Sequence, residues 1–173
     1  MSIKGDQKII VDPSLGRLAK WLRIFGFDTV YFNNPLKEKL FFEKASLEKR
    51  MVLTRSEKIK LQLEGKDFFF ITQNNIDDQL KELIDQNIIP YPKGLFTRCV
   101  ECNTILRKIG RDEAHGKIPD YIGETQHCLS ECANCKKIYW PGTHLKRMKK
   151  KINNLFQTVQ QPQRSKERKG TNC

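Results

Sequence analysis

Short apolar runs alternate with stretches of helical spacing along the first ninety residues. Ile9-Ile10-Val11 is an apolar run closed by Asp12-Pro13. Leu15, Leu18, Ala19, Leu22 and Phe25 then recur every three to four positions, and Gly26 stops the pattern. That spacing puts them on one face of a helix. Residues 29–32 read as a second strand, closed by Asn33-Asn34-Pro35. Residues 36–48 form a second helical pattern, with Leu40, Phe41, Ala45 and Leu47 as its apolar members. Residues 51–54 are a third strand, followed by a helix over 56–64. Residues 68–71 are a fourth strand, and Ile76, Leu80, Leu83 and Ile84 mark a helix after it. Four strands alternating with helices predict an α/β fold, a parallel sheet with helices on both faces. The Pro90–Gly94 stretch predicts a hinge.

Beyond the hinge the pattern changes to cysteines. Cys99 and Cys102 form one pair with a two-residue gap, and Cys132 and Cys135 form another. The gap lets both thiolates of a pair reach one metal. The 29 residues between the pairs, 103–131, leave room for strands that bring the second pair back to the first. Zn²⁺ takes four such sulfurs tetrahedrally and keeps no open position, so this is the signature of a structural zinc ribbon. Cys128 and Cys173 lie outside the pairs. The expected organisation is an α/β domain over 7–92, a zinc ribbon over 95–148 and a basic, disordered tail over 149–173. Leu145, Met148, Ile152 and Leu155/Phe156 recur at helical spacing, so the start of the tail also reads as a basic helix.

Charge sharpens this division. The 173-residue chain carries a formal net charge of +12. Residues 145–173 hold nine Lys/Arg and one Glu, whereas residues 99–144 hold six of each sign. The excess is thus concentrated at the end, where it forms an electrostatic handle for a polyanion. No apolar run reaches the ~20 residues of a membrane-spanning helix. Met1–Lys8 has no apolar core, so an intracellular, unsecreted protein is expected, in cytoplasm or nucleus.

In open parallel sheets ligands bind at the carboxyl ends of the strands. Asp12 follows strand one there, and Thr54-Arg55-Ser56-Glu57 follows strand three. Glu38 opens the helix after strand two. Clustered carboxylates suit a hard divalent cation such as Mg²⁺ or Mn²⁺, which can polarise a phosphodiester. Each residue also has a plainer role. Asp before Pro caps a helix, and Glu38 suits a first helical turn. Arg17, Lys20 and Arg23 share one helix with Trp21 and could track a phosphate backbone or form a solvated face. Arg55 could contact a phosphate or pair with Glu38 or Glu57. Trp140 either packs on the ribbon or stacks a base. His144 is a polar contact to RNA or to the rest of the fold.

The string Val11-Asp-Pro-Ser-Leu-Gly-Arg-Leu-Ala-Lys-Trp-Leu-Arg-Ile-Phe-Gly-Phe-Asp-Thr29 resembles the opening motif of the Mut-seven C-terminal RNase domain family. Leu53-Thr-Arg55 is similar to its third-strand motif. Arg98-Cys-Val-Glu-Cys-Asn103, Cys132-Ala-Asn-Cys135 and Tyr139-Trp-Pro-Gly-Thr-His144 are similar to its zinc ribbon. The resemblance covers roughly residues 9–148. It implies a PIN-like nuclease domain, a phosphodiester hydrolase that uses Mg²⁺ or Mn²⁺, fused to a four-cysteine zinc ribbon. Asp12 falls on the family's first metal-binding Asp, and Glu38 on a second acidic position that is usually Asp. The third position departs, because Ser56 stands where the family usually has Asp. A serine offers one neutral hydroxyl and no charge.

The expectation is therefore a metal-dependent endoribonuclease, or an RNA-binding relative whose cleavage is impaired at Ser56. In the first case, water activated at Asp12 and Glu38 attacks the phosphodiester, with Arg55 or Arg17 steadying the charge. The alternative is a non-catalytic RNA-binding or protein-interaction adaptor built on the zinc ribbon.

Overall fold

The computed structural model describes residues 7–34, 38–63, 67–92 and 94–157. The chain divides into two compact units, residues 1–103 and 104–173.

In the first unit, β1 (Ile9–Val11), β2 (Thr29–Tyr31), β3 (Met51–Thr54) and β4 (Phe68–Phe70) form a four-stranded sheet in the order β2-β1-β3-β4. All three pairings are parallel. The helices are α1 (Gly16–Ile24), α2 (Glu38–Leu47), α3 (Glu57–Gln62) and α4 (Ile76–Asp85). Side chains alternate across a strand, which sorts the core into two faces. Ile10 and Val52 pack with Phe41 and Ala45 of α2 and with Ile59 and Leu63 at α3. Ile9, Val11, Met51 and Leu53 have the opposite parity and are buried as well. Burial on both faces is what continuous apolar strands in a parallel sheet require. The stripe on α2 is narrower than its spacing predicts: Phe41 and Ala45 are buried, but Leu40 is 47% and Leu47 84% exposed.

After β1 the chain turns to β2 on one side, and β3 later pairs on the other side. A reversal of this kind opens a crevice at the carboxyl ends of the two middle strands. Asp12 and Thr54 lie at that edge.

The first cysteine knuckle packs with the α/β unit, and the unit boundary falls after Asn103 rather than at the Pro90–Gly94 stretch. Arg23 is the reason. It is buried, its Nε donates to Thr29 O at 2.9 Å, and its Nη1 donates to Val100 O and Glu101 O at 2.8 Å each. Asn103 completes the tie. Its Oδ1 accepts from Thr29 N at 3.0 Å and its Nδ2 donates to Asp28 Oδ1 at 2.8 Å. Asp28 in turn holds Arg50 at 2.7 Å and Arg98 at 3.8 Å. Burial alone would raise the Asp28 carboxyl. Hydrogen bonds from Arg50 and Asn103, with the charges of Arg50 and Arg98, outweigh it and hold the carboxyl below the ordinary Asp value.

In the second unit, β5 (Leu106–Ile109), β6 (Leu129–Cys132) and β7 (Ile138–Tyr139) form an antiparallel sheet in that order. Between β5 and β6 lie two short helices, α5 (Arg111–Ala114) and α6 (Asp120–Thr125). Ile109, Ala114, Ile122 and Leu129 make a small core, with Ile118, Ile138 and Trp140 packed against it. Glu131 is buried on β6, with Arg107 Nη2 at 2.5 Å and Lys117 Nζ at 3.5 Å. The final helix, α7, spans Thr143–Gln157 and buries Ile152 and Phe156. It carries the chain through residues 149–157, the start of the expected disordered tail, because the apolar spacing of Leu145, Met148, Ile152 and Phe156 continues across that boundary. The rest of that tail lies outside the described residues.

Two substitutions test this packing. Gly26 has φ +91°, and a Cβ there would meet Gly94 O at 2.2 Å. Gly26→Ala is therefore expected to destabilise the chain by about 3 kcal/mol in urea unfolding. Asp28→Asn removes a carboxylate whose folded-state value is depressed. Such a group stabilises the fold above its unfolded value, ~3.9, and loses that contribution as pH falls through the folded value. The variant is expected to be about 2 kcal/mol less stable at pH 7. The gap to the unsubstituted chain closes in acid, read from urea midpoints across pH.

Candidate active site and cysteine cluster

At the carboxyl end of β1, Asp12 has extended backbone geometry (φ −72°, ψ 170°), and Pro13 opens a 3-10 turn over Pro13–Leu15. Its side chain is 1% exposed. Oδ1 accepts from Ser14 N at 2.7 Å and from Ser14 Oγ at 2.5 Å. Oδ2 accepts from Thr54 Oγ1 at 2.5 Å and from Arg55 N at 2.7 Å. An ionised carboxylate has about four lone-pair sites, and four donors fill them. Asp12 is thus a cap for its own turn and a tie between the ends of β1 and β3.

Those bonds fix the corner after β3. Thr54 is fully buried, and its Oγ1 also accepts from Ser56 N at 3.0 Å. Ser56 is the N-cap of α3, its Oγ accepting from Ile59 N at 3.4 Å. Arg55 Nη2 donates to Asn74 Oδ1 rather than to Glu38 or Glu57. Glu57 is exposed and pairs with Lys60 at 3.1 Å, so it does not replace the missing acid.

Asp12, Glu38, Arg55 and Ser56 line one cavity of about 430 Å³. Its walls include Pro13, Phe32, Phe41 and Ile59, and its polar lining adds Ser14, Asn34 and Lys58. Lys58 was not legible as a site residue. Its Nζ lies 2.8 Å from Glu38 Oε2, so the second carboxylate already has a cation. Among the described residues the lining thus carries two carboxylates, Asp12 and Glu38, against two cations, Arg55 and Lys58. Asp77 and Asp78 do not join it. They occupy the first turn of α4, where Asn75 caps the helix by accepting from their backbone N–H groups at 3.0 Å each.

The residues do not make a ready divalent-ion site. One carboxylate is saturated by donors, the other is paired with an ammonium, and the third corner is a neutral hydroxyl that caps a helix. Among the described residues, no set of three or more His, Cys, Asp or Glu ligand atoms gathers around Asp12 and Glu38.

The proposed basic face is smaller than its sequence. Arg17 is exposed, and Lys20 is exposed and pairs with Glu101 at 3.3 Å. Arg23 corrects the expectation. It is buried, and its donors go to three backbone carbonyls, so it is not presented to an outside phosphate. Burial pushes its guanidinium down from the ordinary Arg value, opposed by Cys99, Cys102, Glu101 and Asp28. Trp140 packs on the core of the second unit, and His144 is exposed on α7.

The sulfurs of Cys99, Cys102, Cys132 and Cys135 lie within 4.8 Å of one another. A tetrahedron with ~2.3 Å arms has corners ~3.8 Å apart, so one metal ion suits this set. The two knuckles share a backbone design. Asn103 N donates to Cys99 O, and Lys136 N donates to Cys132 O, both at 2.9 Å. Asn103 and Lys136, each following the second cysteine of a pair, are left-handed at φ 68° and 60°. In the second knuckle Cys135 N also donates to Cys132 Sγ at 3.5 Å. Cys128 is not one of the four.

No curated protein and no solved structure matches the chain. The family model of the Mut7-C RNAse domain matches residues 7–152, a span that takes in the acidic cavity and all four clustered cysteines. The chain belongs to the Mut7-C RNAse domain family.

Proposed function

We propose that this chain is an RNA-acting, PIN-like member of its family that binds RNA at the Asp12 cavity, with metal-dependent cleavage impaired at Ser56. One observation carries this reading. The position where a third carboxylate would stand is a serine whose hydroxyl caps α3. With that acid absent, Asp12 and Glu38 are the only carboxylates among the described residues that line the cavity. Two carboxylates hold Mg²⁺ or Mn²⁺ only with help from substrate phosphates and water. Binding does not need the ion. Arg55 and Lys58 offer cations at the cavity, and Arg17 and Lys20 offer more along α1. The second unit adds Lys146, Arg147, Lys149 and Lys150, all exposed on α7.

The four-cysteine cluster holds structural zinc in this reading. Four thiolates close the coordination shell, so the ion organises the knuckles and does no chemistry on substrate. Metal analysis of the purified chain is expected to give about one zinc per chain. Cys99→Ser or Cys132→Ser should lose that zinc and lower the thermal midpoint. Stoichiometric zinc retained by both variants would count against the site.

The function is tested with labelled single-stranded and structured RNA in Mn²⁺. The unsubstituted chain is expected to bind RNA with an affinity that falls steeply with salt, as phosphate contacts release counterions. Its cleavage should be roughly 10- to 100-fold slower than that of Ser56→Asp, which restores a carboxylate and keeps a good helix cap. Glu38→Gln, with Asp12→Asn checked first for folding, should abolish whatever cleavage Ser56→Asp gains. Fast cleavage by the unsubstituted chain, lost in Glu38→Gln, would instead make it an active ribonuclease. Absence of salt-dependent RNA binding would favour the protein-interaction adaptor.

A further inference from the structure

We infer that Lys58 is the resident cation of the cavity: it holds Glu38 when RNA is absent and takes an RNA phosphate directly, in place of a divalent ion. The inference rests on the RNA-binding reading above and names how that site grips its ligand.

Geometry supports it at each corner. Lys58 Nζ lies 2.8 Å from Glu38 Oε2, within the range of a charge-assisted hydrogen bond. The lysine side chain is 73% exposed and the glutamate 26%, so the ammonium stands between its partner and solvent. An ammonium has three donors. One engages Glu38, and the others are oriented by free rotation toward whatever enters. A divalent ion approaching Glu38 would meet this positive charge, and it would meet an Asp12 carboxylate whose acceptor sites are filled. A phosphodiester meets the opposite situation. It carries one negative charge into a lining whose charges balance among the described residues, and it finds Lys58 and Arg55 on that lining. The apolar wall of Pro13, Phe32, Phe41 and Ile59 then faces the sugar or base beside that phosphate.

The exposed position of Lys58 makes its substitution safe for the fold. The test uses the zinc-loaded full chain and a short fluorescent single-stranded RNA. Binding is measured in buffer stripped of free divalent ions over a chelating resin, and again with added Mn²⁺. The unsubstituted chain is expected to bind equally in both, within about twofold. Lys58→Gln should weaken binding roughly tenfold without metal, the loss expected for a hydrogen bond to a charged group, and Mn²⁺ should recover much of it. Lys39→Gln, which removes an exposed α2 lysine that lines no part of the cavity, should bind as the unsubstituted chain does. In parallel, Mn²⁺ is titrated by electron paramagnetic resonance without RNA. The unsubstituted chain should bind no Mn²⁺ at this site, and the Ser56→Asp/Lys58→Gln double variant should bind one ion. RNA binding that is unchanged in Lys58→Gln, or that requires Mn²⁺ in the unsubstituted chain, overturns the inference while leaving RNA binding intact. A chain that binds no RNA overturns the functional reading and the phosphate role together. The Mn²⁺ titration still decides whether the lysine excludes the ion.

Discussion

A buried charge at the end of a central strand sets the terms for the α/β unit. Asp12 is 1% exposed, and an ionised carboxylate at that depth is tolerated only when its lone pairs are filled. The donors come from two places: the turn that follows Asp12, and the segment that follows β3. Satisfying the charge therefore does more than stabilise one side chain. It starts the 3-10 turn that leads into α1, and it pins the carboxyl ends of β1 and β3 together. It also fixes where Arg55 and Ser56 stand. The bonds observed are those of a cap and a strand tie, and they fill the acceptor sites that a metal ion would use.

A second polar knot decides where the first unit ends. A linker of Pro and Gly reads as a boundary because it interrupts periodic structure. Here the chain beyond it is gathered back by Arg23, which reaches the carbonyls of Val100 and Glu101, and by Asn103, which reaches Asp28 and Thr29. Arginine suits this task because its guanidinium offers several donors in a fixed fork and stays charged when buried. The same use removes Arg23 from any basic surface. Position on a helix wheel placed it with Arg17 and Lys20, but its partners come from residues nearly eighty positions away, and no local spacing announces them.

What was legible follows the same division. Strand order could not be read, yet the four strands, the four helices after them and the crevice at their carboxyl ends followed from apolar periodicity, which is a local signal. The cysteine cluster was legible because metal geometry constrains spacing within each pair. Asp12, Glu38, Arg55 and Ser56 were legible through strand ends and through the family resemblance, and one cavity contains all four. Lys58 was not. A lysine two residues into a helix looks like any solvated residue, and its significance lies in a partner twenty positions earlier. The helices between β5 and β6 were also missed. They are four and six residues long, too short to show a full amphipathic period.

The cavity's chemistry is decoupled from the fold that holds it. Ser56 caps α3 through its hydroxyl, and aspartate at the same position would cap it about as well. Exchanging one for the other alters the local charge by one unit and leaves the helix start in place. Lys58 is exposed in the first turn of the same helix, where an exposed ion pair contributes little to stability. Both residues sit on the short helix whose buried anchor is Ile59, and the Asp12 bonds hold the chain that leads into it. A chain with this arrangement can exchange residues at positions 56 and 58 with almost no cost in folding stability. Asp12 has no such freedom, because its charge is part of the fold. Substitutions in the first turn of α3 can therefore change the charge of the cavity while the Asp12 bonds and the opening motif stay intact.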